Sequence, residues 1–461
     1  MREGCDETMH EVDETTEQMV RSVLAYAENR LKLKPVPLDR ATLPAAELTA
    51  RLEGVIRESS RQPDEVLGVY ASVIAPSVIS ADSPRFLGFI PAAPTKASLL
   101  FDMLVSCASI QGISWLEASG AIAAENSVLR LIADEAGMPS SAGGCFVSGG
   151  SAGNLSALAV AREAAKQRVA SGSRPQRFRV VVSVDAHSSI TNTLRLLEMD
   201  ALVVETPDHR LTADAVRAAV AADPDVSDVA AVVCTAGTTN AGIIDDLAGV
   251  GAIAREHGWW SHVDGAYGGA GIFVPSLRAK YAGIERADSF ILDPHKWMFT
   301  PFDCCAVLYR EPQRARATHT QDASYLDVIH VSSGEWNPTD YAYHLTRRAR
   351  GLPLWFSLAV NGIGAYREAI EAAVSLARET ARLVRETPHL ELIREPDLGV
   401  VLFRRLGWKA GDYDDWAQRL HEDGIAFIPP TKWEGETVAR FAFLHPDTTM
   451  DIVRDVLHRT A

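Results

Sequence analysis

A lysine follows an apolar stretch of the chain in a setting suited to covalent chemistry. The apolar segment 289–292 predicts a buried strand, and the run Asp-Pro-His-Lys-Trp follows it at 293–297. A lysine that forms a Schiff base must lose its proton readily, and a semi-apolar pocket at a strand end disfavours the ammonium form. Because an isolated lysine is usually a surface residue of a turn, the interpretation of Lys296 as a catalytic amine depends on other residues of the chain.

A carboxylate follows a second predicted strand upstream of this lysine. The segment 258–264 predicts a buried strand that ends at Asp264, and a loop rich in glycine and alanine comes directly after it at 265–269. Such a carboxylate can pair with a cationic ring nitrogen, and small residues let a flat ring lie close to the backbone. The plainer alternative is an aspartate that caps the following turn.

A glycine-rich turn supplies a candidate anion site. The turn at 143–154 leads into a helical pattern over 155–166, and the free amides and dipole of a helix start attract an anion such as phosphate. The hydroxyls of Ser148 and Ser151 can add hydrogen bonds. The run matches neither a Walker loop nor the dinucleotide-binding spacing, and a capped helix start without a ligand is the alternative.

These three features together fit one cofactor. Pyridoxal phosphate (PLP) acts as an electron sink and requires a lysine on its aldehyde, an acid on its pyridine nitrogen and a cradle for its phosphate. Two more predicted strands, 178–184 and 229–234, precede His187 and Thr239. Since the carboxyl ends of parallel strands line the ligand crevice, we expect His187 to stack on the planar cofactor and Thr239 to meet its edge, although a lone histidine is more often structural.

The same residues resemble the group II pyridoxal-phosphate-dependent decarboxylases, which include aromatic-L-amino-acid, histidine and glutamate decarboxylases. The resemblance covers most of the chain, and its most specific parts are the runs 262–267 and 293–297. It implies an α/β enzyme of fold-type I (aminotransferase-like), with a mostly parallel central sheet, helices on both faces, a helical N-terminal segment and a small α+β C-terminal domain. The implied reaction is decarboxylation of an L-amino acid to the corresponding amine and CO2.

The resemblance also implies a role for each candidate residue. Lys296 would bind the aldehyde of the cofactor, Asp264 would pair with its ring nitrogen and His187 would stack on the ring. Ala266 would be the small contact beneath the ring, and Tyr325 would be the proton donor of a mobile catalytic loop, the alternative being an ordinary loop aromatic. The remaining cofactor contacts, at the phosphate and the ring edge, would be Gly150, Ser151, Thr239, Asp293 and His295.

One of these residues departs from the family pattern. Asp293 stands where animal aromatic decarboxylases usually have asparagine. An acid beside a phosphate is tolerated only if it faces elsewhere, or accepts a proton or a hydrogen bond.

The resemblance favours an aromatic L-amino acid of the Trp, Tyr, Phe or Dopa type as the substrate. Apolar and aromatic residues that could line such a pocket are Phe89, Ile90, Ile113 and Trp115. Ile90 and Ile113 stand where animal aromatic decarboxylases tend to have phenylalanine, so a smaller aliphatic substrate such as valine is the alternative. An acidic substrate is disfavoured, because no arginine is clearly placed in the pocket. The alternative is that Arg347, Arg348 or Arg350 binds an acidic side chain instead of having a structural role.

Other reaction classes share part of this pattern. An aminotransferase, another lyase or an aldehyde synthase of the same fold would use the same lysine, aspartate and phosphate loop. The His-Lys-Trp context and the loop of Tyr325 argue for decarboxylation. A catalytically inactive interaction protein is disfavoured, since both Lys296 and Asp264 are present.

The composition is that of a soluble enzyme. The chain of 461 residues carries a net charge of −15 and is 47% hydrophobic, which supports large cores and argues against unaided binding to nucleic acid or an anionic membrane. No apolar run reaches a membrane-spanning length, and residues 1–17 lack a hydrophobic signal core. The six scattered cysteines predict reduced core residues with no disulfide frame or metal site. We expect a cytoplasmic enzyme.

The order of the helix and strand patterns along the chain predicts three parts. Residues 1–84 hold amphipathic helices without a core of their own, and the resemblance implies that this segment packs across a homodimer with active sites at the subunit interface. Residues 85–357 alternate strand and helix patterns and form the large PLP-binding domain. Residues 358–461 form the small domain, with a first helix at 358–385, a last helix from residue 450 and strands at Val400–Phe403, Ala426–Ile428 and Arg440–Phe443.

Overall fold

The computed structural model describes residues 10–39, 43–90, 93–170, 173–223, 225–329 and 335–461, with the side chain of Tyr325 outside the described set. The chain begins with three helices, α1 (Glu14–Leu31), α2 (Ala45–Leu52) and α3 (Pro63–Val69). None of the three contains a buried residue. The three helices therefore have no fully buried face within the described chain, and the role of residues 1–84 in a homodimer stays a prediction.

A seven-stranded sheet forms the centre of the molecule, in the order β1-β7-β6-β5-β4-β2-β3. Its strands are β1 (Gly143–Val147), β2 (Arg179–Ser183), β3 (Asp200–Val204), β4 (Val229–Thr235), β5 (Trp260–Asp264), β6 (Ser289–Leu292) and β7 (Cys305–Tyr309). The neighbours from β6 to β3 all run parallel, and β7 is antiparallel to both of its neighbours. The mostly parallel sheet of a fold-type I enzyme is thus confirmed.

Helices cover both faces of this sheet because the strands are apolar on both sides. All residues of β4 are buried, which is typical of a parallel strand between two helical layers. Successive side chains of a strand point to opposite faces, so in β2 Val181 joins one core cluster while Val180 and Val182 join the other. The helices of this region are α4 (Lys96–Cys107), α5 (Trp115–Glu135), α6 (Gly150–Arg168), α7 (Ser188–Leu196), α8 (Ala213–Ala222), α9 (Leu247–His257), α10 (Pro294–Trp297) and α11 (Pro312–His319).

The C-terminal part carries a second, antiparallel sheet in the order β10-β11-β9-β8. Its elements are α12 (Leu352–Glu386), β8 (Leu390–Leu392), β9 (Val400–Arg405), α13 (Ala410–Glu422), β10 (Thr431–Trp433), β11 (Glu436–Ala442) and α14 (Met450–His458). The domain boundary predicted between residues 357 and 358 falls inside helix α12. The division of the chain into domains at this point stays a prediction.

One predicted strand of the C-terminal part is wrong. Residues 426–428 form no strand, and Phe427 makes a single bridge to Phe86. Two prolines follow at 429 and 430, and proline cannot donate to a strand ladder. Among the helices of the described ranges, none combines the length and apolar character needed to cross a membrane.

Candidate active site

A cavity of about 340 Å³ lies at the carboxyl edge of the large sheet. Its lining includes every residue that the sequence predicted to contact a cofactor, namely Gly150, Ser151, His187, Thr239, Asp264, Ala266, Asp293, His295 and Lys296. A larger cavity of about 470 Å³ lies between the segment 31–36, helix α12 and residues 445–447. It contains none of the predicted site residues, so the chemistry belongs to the smaller cavity.

Strand register brings these residues together. Thr235 at the end of β4 pairs with Asp264 at the end of β5, and Asp264 pairs with Ile291 of β6. The strands therefore finish level with one another, and the loops that follow them meet at one edge. The expectation that polar residues after parallel strands converge on a crevice is confirmed.

Lys296 forms an ion pair with Asp293. The Nζ atom lies 3.0 Å from Oδ2 of Asp293, and the two side chains are 22% and 2% exposed. Burial opposes the ammonium form, but the Asp293 carboxylate outweighs it and raises the pKa of Lys296 above its usual value. Burial likewise opposes the charge of Asp293, yet Lys296 and His295 hold the pKa of this carboxyl below its usual value. The setting of the lysine is thus more polar than the semi-apolar pocket that the sequence predicted.

Asp264 is held in place by a buried amide. Its Oδ2 accepts a hydrogen bond from Nδ2 of Asn154 at 2.9 Å, and its Oδ1 accepts one from the backbone N–H of Ala266 at 3.0 Å. The side chain is 4% exposed. Two donors on separate elements fix the carboxylate in one orientation toward the cavity.

A neutral histidine continues this network behind Asp264. Nε2 of His262 lies 2.8 Å from Oδ1 of Asn154, and Nδ1 lies 2.8 Å from the hydroxyl of Ser289. Burial lowers the pKa of His262 to about 4, although the Asp264 carboxylate opposes this shift. Since the amide oxygen can only accept, the assigned tautomer carries its proton on Nε2 and accepts from Ser289 at Nδ1. Both ring nitrogens of His262 are therefore hydrogen-bonded while the imidazole stays neutral, so no positive charge lies behind Asp264.

The same amide also reaches the ring that is predicted to stack on the cofactor. Nδ2 of Asn154 donates to Oγ of Ser189 at 3.0 Å, and this hydroxyl lies 2.8 Å from Nδ1 of His187. His187 caps helix α7, because its Nδ1 accepts from the backbone N–H of Ser189 at 3.2 Å. Nδ1 is therefore the acceptor, and the imidazole is fixed with its other nitrogen free to donate.

The opposite end of the cavity suits an anion. Helix α6, 19 residues long, begins at Gly150. Residues 148–152 line the cavity, so the positive end of the helix dipole borders it. A Cβ atom on Gly150 would lie 3.0 Å from Cβ of Ala266 and 3.1 Å from Oδ2 of Asp293. His295 accepts a hydrogen bond from the backbone N–H of Cys304 at Nδ1 (3.0 Å), and its Nε2 lies 3.6 Å from Oδ2 of Asp293.

The predicted substrate residues lie elsewhere on this chain. Phe89 is 59% exposed and packs near Phe427, with 5.7 Å between ring centres. Ile90 packs against the main core, and Ile113 and Trp115 are half-buried at the start of α5. None of the four belongs to the lining of the cavity formed by the described residues of one chain. Their role stays a prediction.

The proton donor predicted from the sequence is Tyr325. Tyr325 lies in a short 3₁₀ segment, Ser324–Ile329, but its side chain is outside the described residues. The role of Tyr325 stays a prediction.

The arginines of the run 347–350 are bound to carboxylates. Arg347 and Glu125 form a buried pair with two contacts of 2.7 Å, at 0% and 2% exposure. Arg348 pairs with Asp102 at 2.9 Å. Arg350 pairs with Asp303 at 2.7 Å. Each guanidinium already has an acidic partner within the chain.

Sequence reasoning missed Asn154, Ser189 and His262 as parts of the site. A signal for His262 was present, because residues two apart in a strand share a face and His262 therefore points to the side of Asp264. Asn154 and Ser189 had no such signal. Their roles arise from contacts across 110 and 35 residues of chain.

Comparison with known proteins agrees with this geometry. Residues 46–406 match the model of the pyridoxal-dependent decarboxylase conserved domain. The aromatic-L-amino-acid decarboxylase of Bacillus atrophaeus is 29% identical over 442 residues, which are 93% of this chain and 90% of that protein. The histidine decarboxylase of Mus musculus is 29% identical over 431 residues, 88% of this chain and 64% of that protein. The crystal structure of Oryza sativa TDC with PLP and tryptamine has the same fold, with a TM-score of 0.90 at 23% identity, and covers 98% of this chain and 99% of that chain.

Proposed function

This chain belongs to the pyridoxal-dependent decarboxylase family and is a PLP-dependent amino-acid decarboxylase, and we propose that its substrate is an aromatic L-amino acid of the Trp, Tyr, Phe or Dopa type. The products are the corresponding amine and CO2. The observation that carries the choice of substrate is the likeness, over nearly the full length of both chains, to the Bacillus atrophaeus aromatic-L-amino-acid decarboxylase.

The residues of the cavity fit the cofactor of this family. The start of α6 offers amides to a phosphate, and the absence of a side chain at Gly150 lets a group approach the backbone there. A buried, doubly hydrogen-bonded carboxylate, Asp264, suits a protonated ring nitrogen. Lys296 has its amine in the same cavity.

When bound, the cofactor supplies an electron sink for the bond that breaks at Cα. Asp264 keeps the ring nitrogen protonated, because a fixed carboxylate stabilises the cationic form. Asn154 and the neutral His262 hold Asp264 without supplying a competing charge. Lys296 would hold the cofactor through its aldehyde, since its amine lies in the same cavity. The lining of the cavity would have to orient the substrate carboxylate and exclude water from it.

The paired arginines support a substrate without a side-chain carboxylate. Recruiting Arg347 to a substrate would leave Glu125 as an unpaired buried charge, which costs several kcal/mol. Arg350 is already bound to Asp303, a residue of the cavity lining, at 2.7 Å. An acidic amino acid therefore lacks a free cationic partner among these arginines.

Two other substrate classes compete with the aromatic one. The likeness to the histidine decarboxylase of Mus musculus, also at 29% identity, favours an imidazole side chain as the second candidate. Ile90 and Ile113 favour an aliphatic substrate such as valine, since aliphatic side chains at these positions offer no ring to stack on an aromatic substrate.

The proposal includes a homodimer with active sites at the subunit interface. Helix α1 buries no residue, and Val20 and Leu24 on it are 50% and 47% exposed. Apolar exposure continues along residues 66–78, where Tyr70 and Ile74 are 43% and 42% exposed. Contiguous apolar surface of this kind marks an interface. A second copy of the chain would cover this surface.

A cytoplasmic location belongs to the same proposal. All five cysteines in the described part of the chain are free thiols, and this supports a reducing compartment.

A substrate panel tests the proposed function. Purified enzyme with PLP is given single L-amino acids from the aromatic, imidazole, aliphatic and acidic classes, and both CO2 and amine are measured. We expect kcat/KM to be highest for an aromatic amino acid, by about tenfold or more over valine and histidine. A preference for histidine or valine would replace the aromatic assignment, and amine transfer without CO2 would overturn decarboxylation itself.

A further inference from the structure

Asp293 has an unusual position for a carboxylate. It is 2% exposed, and its buried Oδ1 atom has no nitrogen or oxygen donor within hydrogen-bond distance among the described residues; the thiol of Cys305 is a further donor that faces this carboxylate. Its Oδ2 atom lies 3.0 Å from Nζ of Lys296. The charge of this aspartate is thus balanced mainly by the lysine that binds the cofactor.

The same carboxylate borders the anion end of the cavity. A Cβ atom on Gly150, at the first turn of α6, would lie 3.1 Å from Oδ2 of Asp293. A phosphate held by the amides of that turn would therefore be close to Asp293. Two anions this close in a buried place repel each other strongly unless one of them takes a proton.

We propose that Asp293 accepts the proton that Lys296 gives up when the cofactor binds, and that it then donates a hydrogen bond as a neutral acid at the phosphate end of the cavity. The N–H bond of the ammonium group breaks and an O–H bond forms on Asp293, so the pair passes from one positive and one negative charge to none. The neutral amine can then form a C=N bond with the aldehyde carbon, and its two hydrogens leave with the aldehyde oxygen as water.

The groups around Asp293 favour proton transfer from Lys296 to Asp293 once the cofactor is bound. Lys296 on α10 is the cation that stabilises the carboxylate, and Asp264 on β5 faces the same lysine. His295 on α10 adds to this stabilisation only when it is protonated, and burial lowers the pKa of this histidine. Cys305 on β7 adds no charge, because burial raises the pKa of its thiol well above the usual value. Once Lys296 is neutral and a phosphate is near, burial and repulsion both favour the protonated acid. This inference depends on the cofactor site and holds whichever amino acid is the substrate.

Infrared difference spectroscopy tests the proposal directly. Spectra of the full-length chain are recorded before and after loading with PLP, with the aspartates labelled with ¹³C at the side-chain carboxyl. We expect loading to produce the C=O stretch of a protonated carboxylic acid, shifted by the label and absent from Asp293→Asn. Because the unsubstituted chain alone shows the band, the test does not depend on the folding of the variant.

Proton release on PLP binding gives a second readout. Calorimetry near neutral pH, in two buffers of different ionisation enthalpy, counts the protons exchanged. The pair of Lys296 and Asp293 in the unsubstituted chain should release no net proton, because the proton stays on the carboxyl group, whereas loss of the Lys296 proton to solvent would release about one proton per subunit. Asp303→Asn is the matched control, since Asp303 also lines the cavity but pairs with Arg350, and it should release the same number as the unsubstituted chain.

Two results would overturn the inference. One is a loading spectrum without a protonated carboxyl band from aspartate. The other is the release of about one proton per subunit by the unsubstituted chain, which would mean that the Lys296 proton goes to solvent and that Asp293 stays ionised beside the phosphate. Neither readout requires turnover, so both are independent of the substrate proposal.

Discussion

At the scale of single residues, the site is organised by one side-chain amide. Asn154 donates to both Asp264 and Ser189 and accepts from His262, so it links the two side chains that are expected to hold the cofactor ring. Its donors and acceptor are all used, and buried polar groups that are fully paired define a single arrangement. The charge of Asp264 is therefore placed before any substrate arrives.

The variant Asp264→Asn distinguishes a role of Asp264 in binding the cofactor from a role in catalysis. The amide is close in shape to the carboxylate but does not hold the ring nitrogen protonated, so the electron sink is weakened. We expect the variant to retain bound PLP, seen in its visible absorbance, and to lose about a hundredfold or more in kcat. Unchanged kcat with weakened PLP binding would show that Asp264 only anchors the cofactor.

Tyr325→Phe tests the proposed proton donor. The ring remains to fill its place in the loop while the acid is lost, and general acid catalysis by one side chain is worth about a hundredfold to ten-thousandfold. CO2 should still be released, but protonation at Cα becomes slow enough for O2 to compete and to give aldehyde, ammonia and peroxide. Amine and peroxide are measured under air, and an unchanged amine yield without peroxide would remove Tyr325 from the reaction.

Residue types and spacing predicted much of this site but not its internal contacts. Lys296, Asp264 and the start of α6 stand at strand ends, where sequence pattern and chemistry point to the same place. The raised pKa of Lys296 was not foreseen, because it depends on how close Asp293 lies after folding. A residue three positions away in sequence can face toward or away from the lysine, and only the fold decides which.

At the scale of elements, a buried ion pair ties α5 to the chain that leads into α12. Glu125 on α5 accepts from Arg347 with both oxygens and also from the backbone N–H of Gly351, one residue before α12 begins. Arg347 donates in addition to the carbonyl oxygen of Gly112 at 2.6 Å. The pair therefore joins three segments that surround the large sheet.

Glu125→Gln should destabilise the fold strongly. The substitution leaves the guanidinium of Arg347 buried without a counter-charge, and breaking a buried pair in this way costs about 3–5 kcal/mol. The free energy of unfolding in urea measures the effect. Glu17→Gln is the matched control, because Glu17 pairs with Arg21 on the exposed surface of α1 and should cause no measurable change. Equal stability of the two variants would contradict the structural role given to Glu125.

At the scale of the whole molecule, the fold class followed from the sequence while the assembly did not. Alternating apolar strands and helices predict a layered α/β sheet, and the sheet from β6 to β3 has that form. The strand predicted around Phe427 failed because a single bridge and two prolines replace a ladder there. Which side chains complete the substrate pocket depends on contacts between chains, which the pattern of one chain does not fix.

The exposed face of α1 predicts a dimer that a single charge can weaken. Val23 is 44% exposed on this helix, and burying a glutamate there without a partner would cost several kcal/mol. Val23→Glu should shift sedimentation from dimer toward monomer and reduce turnover in parallel. Leu406→Glu, at a site 47% exposed outside α1, is the control and should leave the dimer intact. A monomeric unsubstituted enzyme with full activity would contradict the proposed assembly.

The central claim is that this cavity holds the cofactor through Lys296, and chemical trapping measures it directly. The PLP-loaded enzyme is reduced with borohydride, digested and analysed by mass spectrometry, since reduction makes the bond between lysine and cofactor permanent. We expect the added pyridoxyl phosphate mass on the peptide that contains Lys296, and a Lys296→Ala variant without the visible band or turnover. A label on a different lysine, or an unlabelled Lys296 peptide in an active enzyme, would contradict the account.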